Sequence, residues 1–261
     1  MKYAVYQMDI IAGNPKKNRE KVNNWAKETM ANEKLDVLVL PEMWTTAFTL
    51  PELDEFADVN GEPTTSFLQE LAKKHHVHII GGSIANKKDG KFYNTSVVVD
   101  RKGSIVYTYD KIHLVPMLHE HKYLTGGTEK VRTFELEGVK MGVIICYDLR
   151  FPELARKLAL EGVQVLHIVA EWPAPRKDHW RHLQLARAIE NQMFVVSCNR
   201  VGSYDGEDFA GTSMIIDPWG TPLEIGSDSK EETLSTTLSL DIVPKIRKDV
   251  PIFSSRVPEL Y

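Results

Sequence analysis

Cys146 closes the apolar run Gly142-Val143-Ile144-Ile145, and a thiol delivered at the end of a buried strand is well placed to act on a ligand in the crevice there. A free thiol at neutral pH is mostly protonated, so a catalytic cysteine needs a base or a cation beside it. The histidines do not offer one. His75, His76 and His78 flank a helix-to-strand junction, and His179 and His182 fall on one helical face, the ordinary positions of solvated or packed imidazoles. Two other apolar runs do end in ionisable groups: Val37-Leu38-Val39-Leu40-Pro41 runs into Glu42, and Tyr107-Thr108-Tyr109-Asp110 runs into Lys111. Each residue alone has a plain structural reading, as a small buried hydrophobe, a capping or surface carboxylate, and a surface lysine. Together, three strand ends carrying Glu, Lys and Cys bring a base, a cation and a nucleophile into one chain.

The elements that must position these groups follow from hydrophobic period. Runs rich in β-branched residues over 3–8, 36–40 and 77–85 alternate with helical patterns over 15–31 and 64–75, which predicts an α/β chain. A hairpin is expected from 92–100 and 104–109, turning at Lys102-Gly103. The strand 139–146 leads directly into a helix that begins at Pro152, a residue suited to a first helical turn. Beyond it come a strand over 165–170, a helix over 178–191, strands over 193–199 and 211–216, and a turn at Asp217-Pro218-Trp219-Gly220. No internal repeat, linker or shift of composition marks a boundary, so residues 1–261 are expected to form a single domain. The segment 240–261 lacks strong periodicity and carries Pro244, Pro251 and Pro258; it is expected to be a C-terminal arm lying on the body or on a subunit partner.

Composition narrows the classes of function. With 43% hydrophobic residues in 261, a sizeable core and a buried pocket are within reach. A net charge of -4 gives no global attraction to nucleic acid or to an anionic membrane, and no apolar run approaches the roughly 20 residues of a membrane span. Two cysteines and a start without a long apolar stretch point to a reducing, cytoplasmic setting. No Cys/His spacing suggests zinc. Phosphatase chemistry needs Cys-x5-Arg, whereas Pro152 stands six residues after Cys146 and the arginine is Arg150. Neither glycine-rich nucleotide-binding fingerprint is present.

Leu40-Pro41-Glu42, Asp110-Lys111-Ile112-His113-Leu114 and Cys146-Tyr147-Asp148-Leu149-Arg150-Phe151-Pro152-Glu153 resemble, in order and in spacing, the three signature segments of the nitrilase (carbon-nitrogen hydrolase) superfamily. The resemblance implies a four-layer αββα sandwich, a homodimer or larger assembly, and no cofactor or metal. It implies Cys146 as nucleophile, Glu42 as base and Lys111 as oxyanion partner, helped by a backbone N–H near Tyr147 or Trp172. Glu120 aligns with an additional glutamate that positions Lys111 or the substrate.

Ala170-Glu171-Trp172-Pro173-Ala174-Pro175-Arg176, with Ala186-Arg187-Ala188-Ile189-Glu190-Asn191-Gln192, is similar to the omega-amidase branch, which implies the ω-amide of an α-keto acid as substrate and ammonia as product. On that reading Arg176 is the candidate clamp for the substrate carboxylate, and Trp44, Phe48 and Trp172 form an apolar wall. Arg150 is expected to pair with a buried carboxylate, and Glu171 to be a rim or structural carboxylate. A nitrilase, a carbamoylase or another aliphatic amidase would use the same triad. A non-catalytic interaction protein would be marked by loss of a triad member, and none is lost.

Overall fold

The computed structural model describes residues 1–260. Its first half runs β1 (Lys2–Gln7), α1 (Pro15–Asn32), β2 (Val37–Val39), the single turn α2 (Leu53–Phe56), β3 (Asp58–Val59), α3 (Thr64–His75), β4 (His78–Lys88), β5 (Lys91–Val99) and β6 (Ile105–Asp110). Its second half runs β7 (Phe134–Leu136), β8 (Val139–Ile145), α4 (Pro152–Leu160), β9 (Val165–Ala170), α5 (Lys177–Asn191) and β10 (Phe194–Asn199). The small hairpin β11 (Ser203–Tyr204) and β12 (Glu207–Asp208) follows, then β13 (Met214–Ile216), β14 (Pro222–Ile225), β15 (Glu232–Thr237) and α6 (Ile242–Asp249). One sheet has the order β15-β1-β2-β4-β5-β6, with β3 beside β4, and the other has the order β14-β13-β10-β9-β8-β7.

The alternation along β1 explains the layering. Tyr3 and Val5 face one way, with Val37, Val39, Ile80 and Val98, into a core shared with Val143, Ile145, Val169 and Val195 of the second sheet. Ala4, Tyr6 and Met8 face the other way, against Val22, Trp25 and Ala26 of α1 and Leu68, Leu71 and Ala72 of α3. The second sheet is covered in turn by α4 and α5 through Ala155, Leu158, Trp180 and Ala188. This is the αββα sandwich that the resemblance implies. Strands β8, β9 and β10 are parallel and buried on both faces, which is why they read as unbroken apolar runs.

Local signals set the helix ends. Asn14 caps α1 by accepting the Lys17 N–H at 3.1 Å, with Pro15 in the first turn, the usual pairing of an Asn cap and an early proline. Three segments depart from the sequence reading. β4 continues past Ala85 to Lys88 and pairs with β5 around Asp89-Gly90, both at positive φ, the dipeptide that a tight hairpin favours. β13 begins only at Met214, because Gly211 and Thr212 both have φ of 49° and cannot lie in a strand. Within 240–260, the helix α6 carries Pro244 in its first turn, where a missing N–H is tolerated, and buries only Val243 and Ile246. Among the described residues no helix is long and apolar enough to cross a membrane.

Candidate active site

The ends of four strands converge. Cys146 directly follows β8, Glu171 directly follows β9, Lys111 directly follows β6, and Glu42 lies shortly beyond β2. All four are buried. Cys146 has φ of 46° and opens a 3-10 turn over Cys146–Arg150, so the chain is held in a conformation that side chains other than glycine seldom adopt. Asp148 secures this turn. Its Oδ2 accepts from the Ile145 N–H at 3.2 Å and the Tyr109 hydroxyl at 2.8 Å, and its Oδ1 accepts from the His113 N–H at 3.0 Å. The nucleophile turn is thereby bonded to the strand end that carries Lys111.

Glu42 is placed by an irregular stretch of the neighbouring strand. The register of β4 against β5 shifts between Ile80 and Ser83, and Gly82, at φ of 62°, lies so close to the turn before Glu42 that a Cβ there would sit 1.9 Å from the Pro41 carbonyl oxygen. Only glycine fits this approach.

Lys111 Nζ donates to Glu42 Oε1 at 2.8 Å and to Glu120 Oε1 at 2.9 Å, and it lies 5.7 Å from the Phe48 ring centre. Burial works against the ammonium, but Glu120 and Glu42 outweigh it and hold the group well above the ordinary lysine range. Glu120 Oε2 accepts from the Val115 N–H at 2.7 Å. Burial, and then the charge of Glu42, push the Cys146 thiol well above its ordinary range, while Lys111 pulls the other way. The resting arrangement is a neutral thiol near the carboxyl group of Glu42, so attack requires transfer of that proton to Glu42. The ammonium of Lys111 spends two protons on carboxylates, leaving a third for an oxygen that gains negative charge.

Glu171 is fully buried rather than on a rim. Its backbone N–H donates to Glu42 Oε2 at 2.8 Å, and its Oε2 accepts from Arg200 Nη1 at 3.1 Å. Burial pushes this carboxyl up to about 8, with Arg200 opposing.

Cys146, Tyr147, Arg150, Glu171, Trp172 and Arg176 line a pocket of only about 20 Å³, room for a single water. A second cavity of about 250 Å³, lined in part by Phe48, Lys122 and Tyr204, shares Leu118 and Pro173 with it. The space at the sulfur is thus narrow, and the two cavities adjoin along Leu118 and Pro173.

Of the residues singled out in the sequence, Tyr147, Trp172 and Arg176 line the Cys146 pocket, and Phe48 stands beside Lys111 at the neighbouring cavity. Trp44 does not join them. It is fully buried on the helix side of the first sheet, donating to the Gly81 carbonyl at 2.8 Å and packing 6.2 Å from the Phe67 ring. Arg150 has no carboxylate partner among the described residues. Its guanidinium lies 4.7 Å from the Trp172 ring and 5.7 Å from the Tyr147 ring, within the pocket. The Trp172 N–H is committed to Asn199 Oδ1 at 2.7 Å, so of the two backbone donors expected near the oxyanion only that of Tyr147, in the first turn of a 3-10 helix where N–H groups lack helical partners, is open to the role.

Three contributors escaped the sequence reading. Asn94 donates to Glu42, Asp148 fastens the cysteine turn, and Arg200 holds Glu171. A polar Asn94 inside a strand of Val and Thr, and an Arg200 directly after the buried strand β10, were the available signals.

The family described as carbon-nitrogen hydrolase matches residues 2–248. A 2-oxoglutaramate amidase of Bacillus subtilis strain 168 is 45% identical to the chain over 98% of it and 97% of that protein. The omega-amidase YafV of Yersinia enterocolitica is 37% identical over 84% of the chain and 83% of its own length. The crystal structure of a carbon-nitrogen hydrolase from Helicobacter pylori superposes with a TM-score of 0.92 at 25% identity, covering 100% of this chain and 96% of that one.

Proposed function

The chain belongs to the carbon-nitrogen hydrolase family, and from that premise we propose that it is an amidase that hydrolyses the ω-amide of a small α-keto acid, releasing ammonia through a thioester on Cys146. Two relatives whose names state this activity or its 2-oxoglutaramate form support the substrate class. The observation that carries it is that Arg150 and Arg176 both line the Cys146 pocket while, among the described residues, neither has a carboxylate partner. Two cations at the mouth of a thiol pocket suit a substrate with an amide at one end and a carboxylate at the other.

In this reading Glu42 takes the thiol proton as the sulfur attacks the amide carbon, and the third proton of Lys111 and the Tyr147 N–H receive the oxyanion. Glu42 returns the proton to the departing nitrogen, which leaves as ammonia. Water then gives a proton to Glu42 as its oxygen attacks the thioester carbon. Collapse of this second oxyanion expels the thiolate, which recovers that proton, and the acid departs. Glu120 keeps Lys111 charged and aimed. The proposal also takes a reducing cytoplasm, in keeping with two free cysteines, and a homodimer, in keeping with Ile189 and Trp219, each more than half exposed on the same side; sedimentation measures the latter.

Ammonia release decides the substrate class. The purified protein is offered keto-acid amides of glutaramate and succinamate type, a nitrile of equal length and an N-carbamoyl amino acid. Turnover of the keto-acid amides is expected. Turnover confined to the nitrile or the carbamoyl compound overturns the reading.

A further inference from the structure

The carboxyl oxygens around Cys146 can be accounted for one at a time. Glu42 Oε1 receives Asn94 and Lys111, and Glu42 Oε2 receives the Glu171 N–H. Glu120 Oε1 receives Lys111, and its Oε2 receives the Val115 N–H. Glu171 Oε2 receives Arg200. Glu171 Oε1 is buried and has no partner among the described residues, although the residue lines the same pocket as the thiol. A buried oxygen left in this way costs stability unless a ligand completes it.

A primary carboxamide with its carbon at Cys146 sends its oxygen to Lys111 and the Tyr147 N–H, which leaves two N–H groups in need of acceptors. We infer that Glu171 Oε1 accepts one of them, and that Glu171 is the residue by which this site selects a primary amide. The inference rests on the amidase reading only in taking an amide as the reacting group. A substrate with no N–H leaves the oxygen orphaned and is disfavoured for that reason. Arg200 holds Oε2, so Oε1 is the oxygen left for a ligand. Burial raises this carboxyl to about 8, and a donated N–H favours the anion and draws the proton away.

Glu171→Gln separates the possible roles. Its amide oxygen must turn to Arg200, so its NH₂ faces the pocket, imitating a protonated acid and unable to accept. Initial rates are measured on a primary amide and on the methyl ester of the same acid, with thermal unfolding followed in parallel. The expected result is a fall in kcat/KM for the amide of about tenfold to a hundredfold, the usual worth of a hydrogen bond to a charged group, with the ester unchanged. Equal losses on both substrates, or an amide rate that survives, overturn the inference. Glu171→Asp, which keeps a charge for Arg200 and withdraws it from the pocket, carries the same comparison if the glutamine variant does not fold. The amide used is whichever one the wild type cleaves, so failure of the keto-acid reading leaves the ratio decisive. If the wild type cleaves esters and no primary amide, both readings fall.

Discussion

Asn94 Nδ2 donates to Glu42 Oε1 at 2.7 Å, while the carbonyl of the same asparagine accepts the Lys111 N–H at 2.9 Å. One residue in the middle of β5 thus aims the base with its side chain and fixes the lysine with its backbone. Asn94→Ala keeps the backbone bond and frees one side of the carboxylate. Its kcat should fall by about tenfold, the loss of a hydrogen bond to a charged group at roughly 1.4 kcal/mol per factor of ten, with KM little changed. Steady-state kinetics measure both, and an unaltered kcat would count against the positioning role.

The two cysteines should separate cleanly. Cys198 is buried between the sheets, its thiol directed at the Tyr6 carbonyl at 3.1 Å, away from the charged cluster. Cys146→Ala is expected to abolish ammonia release at unchanged fold. Cys198→Ala is expected to retain kcat and to lose about 1 kcal/mol of stability in urea unfolding, as for other small core truncations. Intact-mass measurement should find substrate trapped on the peptide containing Cys146, and equal loss of activity in both variants would contradict the assignment of the nucleophile.

Arg150 lies over Trp172, so Arg150→Met preserves much of the apolar contact while removing the cation. For an ω-amide that carries a carboxylate, KM should rise by about tenfold or more. For a neutral amide of equal length it should stay where it is. A parallel rise on both substrates would assign Arg150 to packing.

His167 is fully buried between the sheets, bonded to the Gly142 carbonyl and the Tyr3 hydroxyl, and burial lowers its pKa from 6.5 to about 4. The folded state therefore disfavours the imidazolium. Its contribution to stability is complete above pH 6.5 and is lost as the pH falls towards 4, by about 3 kcal/mol at 1.36 kcal/mol per unit. Urea unfolding at pH 7 and at pH 4.5 should show the wild type losing more stability than His167→Gln. Equal losses would place the acid sensitivity elsewhere.

Much of this architecture was legible because each of Glu42, Lys111 and Cys146 ends a run whose apolar period shows in one stretch of chain. What could not be read were relations across layers. Trp44 looks like a pocket aromatic beside Glu42, yet the chain turns through Met43 at φ of 44° and sends the indole to the helix side. Arg150 looks like half of an ion pair, yet the carboxylate nearest in sequence, Asp148, is already saturated by Ile145, Tyr109 and His113. Arg200 and Asn94 act on Glu171 and Glu42 from other strands, and no local pattern encodes such distances. The helix α6 escaped because two buried residues are too few to impose a period.

The narrow pocket beside Cys146 bears on the endurance of the protein as well as on its turnover. Peroxides and alkylating agents attack thiolates, and a thiol held neutral by burial and by Glu42 reacts with them slowly. With room for a single water at the sulfur, bulky electrophiles fit there poorly. The nucleophile is thus shielded from sulfenic acid formation between turnovers, and inactivation by an electrophile should depend on its size as much as on its reactivity.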